Sequence, residues 1–225
     1  MSASTSSAFS GKTCRIMPLG ASITFGTGST HESGYRAHLY DLLTADGNTV
    51  QMVGSQSGGS FAQPRNEGYP GYFISQVHRR AVAAMPIYKP NIVTILVGTN
   101  DVGANLDAVN APLRLTKMIQ DVLDRDGQAA GVCVVVSTLP PNRDSRANAR
   151  ITSYNAALLD VVRDFVDAGR AVLLVDCHAV VGVEDLEDGT HPNDAAYERM
   201  ARVFYDGIQE AFVKGWIFDV HASEA

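Results

Sequence analysis

Asn91-Ile92-Val93-Thr94-Ile95-Leu96-Val97 is an almost unbroken apolar, β-branched run, and it stops at Gly98-Thr99-Asn100-Asp101. A short run without alternation reads as a strand buried on both faces, as in a parallel sheet covered by helices. Four further runs share this character: Cys14 to Leu19, Val50 to Gly54, Gly131 to Thr138 and Ala171 to Asp176. Between them the apolar residues shift to three-four spacing. Tyr35 to Thr44 gathers Leu39, Leu42 and Leu43 on one side, and Tyr72 to Met85 carries Ile74, Val77 and Val82. Leu113 to Leu123, Ile151 to Phe165 and Ala195 to Phe212 repeat the pattern, with Asn193 or Asp194 as N-cap of the last helix.

This alternation predicts a doubly wound α/β domain with right-handed crossovers. The sequence expectation is one domain over 11–217, between a flexible Ser-rich segment at 1–10 and a tail at 218–225. Ser55 to Pro70, rich in Gly, Ser and Asn, reads as a functional loop rather than a domain boundary.

Composition narrows the function classes. The 45% hydrophobic and 19% charged content fits an ordinary globular chain. A net charge of -6 and the lack of a basic stripe argue against a nucleic-acid partner. Apolar runs such as Val132 to Val136 are too short to span a bilayer. Residues 1–10 have neither a basic start nor an apolar centre, so no signal peptide is expected in them and the compartment stays open. Cys14, Cys133 and Cys177 lie in or beside apolar strands and read as buried free thiols.

Ligands in such folds sit at the carboxyl ends of the strands. Ser22, Asn100 and the Asp188-Gly189-Thr190-His191-Pro192 turn all fall there or on loops just beyond. A serine hydroxyl needs an adjacent base to act as a nucleophile. His191 is the candidate base, with Asp188 three residues earlier to hold its tautomer. His178, two residues after Asp176, is the competing histidine. Taken singly, Ser22 reads more readily as the cap of a local turn, and Asn100 more readily as an Asx turn. The Asn100 amide is suited to stabilise an oxyanion, and Gly71 lets a backbone N–H approach the same oxygen. His178, Asp188, His191 and Asp194 lack the spacing of familiar zinc sites, so neither a metal nor a cofactor is expected. A calcium site built from scattered carbonyls has no spacing signature and is left open. Gly26, Gly28 and Gly34 match no phosphate-loop pattern.

Together these segments resemble the blocks of the SGNH (GDSL-type) hydrolase superfamily. The matches are Ile16 to Thr24 around Ser22, Glu67 to Tyr72 around Gly71, Val97 to Asp101 around Asn100, and Asp188 to Pro192 around His191. Met17-Pro18-Leu19-Gly20, Val53-Gly54-Ser55-Gln56 and the Glu67 to Gly71 loop most resemble carbohydrate esterase family three. The resemblance implies a three-layer, flavodoxin-like fold with a five-stranded parallel sheet in the order 2-1-3-4-5. It implies Ser22 as nucleophile, His191 as base and Asp188 as its orienting acid. The oxyanion hole would be formed by the Ser22 and Gly71 amides and the Asn100 side chain, with Gly68 competing for the place of Gly71. The departure is Ala21, where the family usually has Asp.

The expected function is a serine esterase that removes acetyl groups from carbohydrate through an acyl-enzyme. A lipid-directed esterase, lysophospholipase or thioesterase is the alternative within the same chemistry. An inactive binding scaffold is the alternative from a different class.

Overall fold

The computed structural model describes residues 9–124 and 131–218. The chain enters the sheet with β1, Thr13–Gly20, turns through a four-residue helix, α1, Ser22–Phe25, and continues into α2, Gly34–Ala45. Three short strands follow: β2, Thr49–Met52; β3, Gln56–Ser57; and β4, Arg65–Gly68. Next come α3, Ile74–Tyr88; β5, Ile92–Leu96; the short α4, Thr99–Gly103; α5, Ala111–Leu123; and β6, Cys133–Ser137. The chain then forms α6, Ser145–Asp167; β7, Val172–Val175; and α7, Asp194–Val213.

The expectation of five strands in the order 2-1-3-4-5 is corrected. The sheet has seven strands in the order β3-β4-β1-β5-β6-β7, with β2 also on β1. β1 pairs in parallel with β5 from Ile16 to Gly20. Its other edge is shared: β2 runs beside Thr13 to Ile16, and β4 takes over beside Leu19 and Gly20. β3 adds to β4 antiparallel. Neither β3 nor β4 carries an apolar run, so a hydrophobicity reading sees the whole segment as loop. At Gly54, with φ +148°, a Cβ would lie 2.2 Å from the Asn66 carbonyl oxygen. Only glycine lets the chain leaving β2 pass so close to β4.

β5 and β6 are buried throughout, as their uninterrupted apolar sequences require. α2 packs on α7 over one face, where Tyr35 and Phe204 stack with ring centroids 4.5 Å apart. α3, α5 and α6 cover the other face. Each Val, Leu or Ile buried in this way contributes roughly 1.5–3 kcal/mol. The three cysteines are buried and unpaired, and burial pushes their thiols up to about 12, which keeps them protonated and inert.

The helix ends follow side-chain chemistry. Asp144 accepts from the Ala147 N–H and starts α6 six residues earlier than periodicity predicts. Asn193 accepts from the Ala196 N–H and caps α7. Most of the 1–10 segment lies outside the described residues, but Phe9 is buried, edge-on to Phe212. Of the expected 218–225 tail only Phe218 is described, and its carbonyl accepts from Asn91 Nδ2 at 2.7 Å. Among the described residues no helix is long and apolar enough to cross a membrane.

Candidate active site

β1 delivers Ser22 to the carboxyl edge of the sheet. A Cβ on Gly20 would fall 2.2 Å from both the Leu96 carbonyl oxygen and Thr24 Oγ1, so only glycine lets the strand end bend into α1. Ser22 is the first residue of α1 and is buried. Its N–H belongs to the unsatisfied first turn of a helix and has no acceptor among the described residues. Gly26, left-handed, closes the helix by donating its N–H to the Ser22 carbonyl.

His191 arrives from the far end of the chain, on the loop between β7 and α7. Its Nε2 lies 2.8 Å from Ser22 Oγ, and its Nδ1 lies 2.7 Å from Asp188 Oδ2. A carboxylate can only accept here, so Nδ1 carries the hydrogen and Nε2 presents its lone pair to the serine. The other Asp188 oxygen accepts from the backbone N–H groups of Thr190 and His191. Partial burial raises the Asp188 pKa, but the His191 ring and the two N–H groups outweigh it and bring it from 3.8 to about 2. The carboxylate that orients the ring therefore stays charged across the neutral range.

His178 does not compete for this place. Its Nδ1 sits 3.0 Å from the Leu139 carbonyl, and Asp176 accepts from Thr138 Oγ1 at 2.7 Å instead of meeting the ring. Among the described residues no group of three or more His, Cys, Asp or Glu is placed to hold a metal.

Gly71 and Asn100 meet through Tyr72. Asn100 Nδ2 donates to the Tyr72 carbonyl at 2.8 Å, which leaves the second amide hydrogen without a described acceptor. Gly71, next to Tyr72, is exposed and adopts φ +80°, and its N–H also donates to no described group. Gly68 differs on both counts. Its N–H is taken by Asn66 Oδ1 at 2.8 Å, and a Cβ there would lie 2.6 Å from the Phe25 backbone nitrogen. Of the two glycines, Gly71 has the unengaged donor. Asp101, buried beside Asn100, accepts from the Ile74 N–H that opens α3 and from Arg114, each at 3.0 Å, and so ties α4 to α3.

Several residues that hold this arrangement were not singled out as site residues from sequence. Buried Glu67 accepts from the Ser55 N–H at 2.5 Å and from Tyr69 Oη at 2.6 Å, joining the segments after β2 and β4. Arg36, fully buried, donates to the carbonyls of Phe25, Glu32, Gly58 and Pro64. Arg143 holds the His191 loop by donating its N–H to Gly189 and its guanidinium to Leu186. Gly28, with φ +93°, backs His191 directly: a Cβ there would lie 2.8 Å from His191 Cβ. A polar residue buried inside a loop block was the available signal for Glu67. A lone glycine gives none for Gly28.

The family model described as GDSL-like Lipase/Acylhydrolase matches residues 19–199, a span that contains Ser22, Asn100, Asp188 and His191. The chain belongs to this family. Among the relatives of this acylhydrolase-family chain is a "Multidomain esterase" of Ruminococcus flavefaciens, 30% identical over 227 residues. That match takes in 88% of the present chain but 28% of the relative, so the chain spans little more than a quarter of that protein's length. Two solved structures share the fold closely. A Clostridium thermocellum family 3 carbohydrate esterase superposes with TM-score 0.79 at 27% identity, covering 89% of this chain and 99% of that one. A carbohydrate esterase family 3 from Talaromyces cellulolyticus gives TM-score 0.73 at 25% identity, covering 90% of this chain and 98% of that one.

Proposed function

We propose that the chain is a serine esterase that removes short acyl groups, acetyl foremost, from carbohydrate. The observation that carries this reading is the 2.8 Å contact between His191 Nε2 and Ser22 Oγ, with Asp188 2.7 Å behind the ring. Ser22 Oγ attacks the acyl carbonyl as its proton passes to His191 Nε2, and charge gathers on the former carbonyl oxygen. The N–H groups of Ser22 and Gly71 and the free hydrogen of the Asn100 amide receive that charge. Collapse breaks the ester C–O bond, and the proton on His191 goes to the leaving sugar oxygen. Water, giving a proton to His191, then attacks the acyl-Ser22 carbonyl. A second collapse frees the carboxylic acid and restores the serine.

The carbohydrate part of the reading is supported by the two family 3 carbohydrate esterases that superpose over nearly their whole length. A hydrolysis series on p-nitrophenyl esters from acetate to laurate tests the acyl group. The maximum is expected at acetate, and a maximum at eight carbons or longer would favour a lipid-directed enzyme instead. The mechanism is tested by Ser22→Ala and His191→Ala, each expected to lower kcat on p-nitrophenyl acetate by at least about a thousandfold. Because the two side chains act as one unit, the double variant is expected to be little slower than either single one. The mechanism is falsified if Ser22→Ala retains near-normal turnover.

A further inference from the structure

A groove of about 290 Å³ opens on the exposed side of α3, lined by Tyr72, Gln76, Arg79, Arg80 and Ala83. The four helix positions follow the i, i+3, i+4, i+7 spacing of one helix face, so they form a continuous stripe. Three of its four positions, Gln76, Arg79 and Arg80, carry side-chain donors. Gln76 spends its side-chain oxygen on the Phe73 N–H at 2.9 Å, which turns its amide nitrogen into the free end. Arg79 and Arg80 are exposed, and neither forms an ion pair with a described carboxylate. Both stand on one helix face of a chain of net charge -6, with only the buried Glu67 carboxylate acting on Arg80 from a distance. They do not simply spread into solvent. The Arg80 guanidinium carbon lies 5.1 Å from the Tyr69 ring centre and 6.0 Å from that of Tyr72, and those two rings stack 5.0 Å apart. This holds one cation at the groove wall.

Tyr72 links the groove to the reacting centre. Its ring lines the groove, its carbonyl accepts from Asn100 Nδ2, and it directly follows Gly71. Tyr72 thus ties the groove wall to Gly71 and Asn100, the two residues proposed to face the reacting oxygen. We infer that this groove receives an acidic sugar, a uronic acid whose carboxylate meets the two guanidinium groups, next to the acylated unit of the substrate. The inference rests on the carbohydrate-esterase reading above and adds to it a charge preference. Guanidinium groups meet a planar carboxylate with paired N–H donors, and the Gln76 amide is placed to meet sugar hydroxyls.

The test uses binding and turnover together. With the Ser22→Ala chain, calorimetry compares a glucuronic-acid-branched xylo-oligosaccharide with the unbranched one of equal length. The branched ligand is expected to bind about tenfold more tightly at low salt, with the advantage shrinking at high salt. Adding Arg79→Gln and Arg80→Gln should bring the ratio to about one. Arg80 also touches Tyr72 Oη at 3.4 Å, so Arg79→Gln alone, which disturbs no described contact, serves as the second variant and should lower the ratio by about threefold. Equal binding of the two ligands, or a ratio unmoved by either variant, overturns the inference. The unaltered chain is then assayed on acetylated forms of both ligands. Hydrolysis of both at equal kcat/KM overturns the charge preference and leaves the esterase standing. Hydrolysis of neither, with the binding preference intact, overturns the esterase reading and leaves the groove.

Discussion

Asp188 is held by three donors on one short turn, two of them from the residue it orients. Its pKa falls from 3.8 to about 2 on folding, so the contact stabilises the native state fully above 3.8 and loses that contribution as pH drops through about 2. The side chain is 58% exposed, so solvent screening keeps the contribution small. Acid unfolding of the unaltered chain and of Asp188→Asn is therefore expected to differ by a gap that narrows between pH 4 and 2, measured by circular dichroism. Above pH 4 the aspartate does not titrate, so the acid limb of kcat/KM must belong to another group. Asp188→Asn should reduce kcat by roughly 10³- to 10⁴-fold through loss of the oriented tautomer. The pairing of Asp188 with His191 was legible from a spacing of three residues. What separates Gly71 from Gly68 was not, because it turns on which N–H is already occupied, and Asn66 takes that of Gly68 from within a polar strand.

Two loops carry constraints that belong to their element as a whole. The turn after α1 presses Gly28 against His191, where a methyl group would sit 2.8 Å from both His191 Cβ and the Pro192 carbonyl oxygen. Gly28→Ala is expected to lower kcat about 10- to 100-fold on p-nitrophenyl acetate, with KM little changed, because a small displacement of the base is costly. An unchanged kcat would show that the loops slide apart freely. Arg36, from α2, holds four carbonyls of three different segments. Arg36→Ala removes a donor from each, although Pro64 keeps the Gly58 N–H and Asn66 Nδ2, and should cost about 3 kcal/mol, seen as a drop of about 6–12 °C in Tm. β5 and β6 announced themselves because they are buried on both faces, whereas β2 alternates, with Thr49 and Gln51 exposed, and showed only through its apolar residues. β3, β4, α1 and α4 did not, being too short or too polar to show a period. Arg36 was hidden for the opposite reason, as a charged residue in a helix normally marks a solvated face.

At the scale of the molecule, the site exists only because one sheet brings together residues 169 positions apart. The span 11–217 is taken as one cooperative unit, so urea unfolding followed by far-ultraviolet circular dichroism and by esterase activity should give superimposable transitions. Activity lost at lower urea than the helical signal would show that the His191 loop opens on its own. The general α/β plan was readable from alternation, but the shared edge of β1 was not. Two strands dividing one edge between them is a matter of register, and register leaves its mark only where a buried face alternates with an open one. Asn91 has a consequence of its own. It donates to the carbonyls of Thr13 and Phe218 and accepts from the Arg15 N–H, so it gathers both outer stretches of the chain at the foot of β1. Ser22 stands at the other end of that strand, about 25 Å away. A tether to a bead or a neighbouring module, fixed at either of those stretches, would therefore attach at the end of the sheet remote from Ser22 and leave the Ser22 end unobstructed.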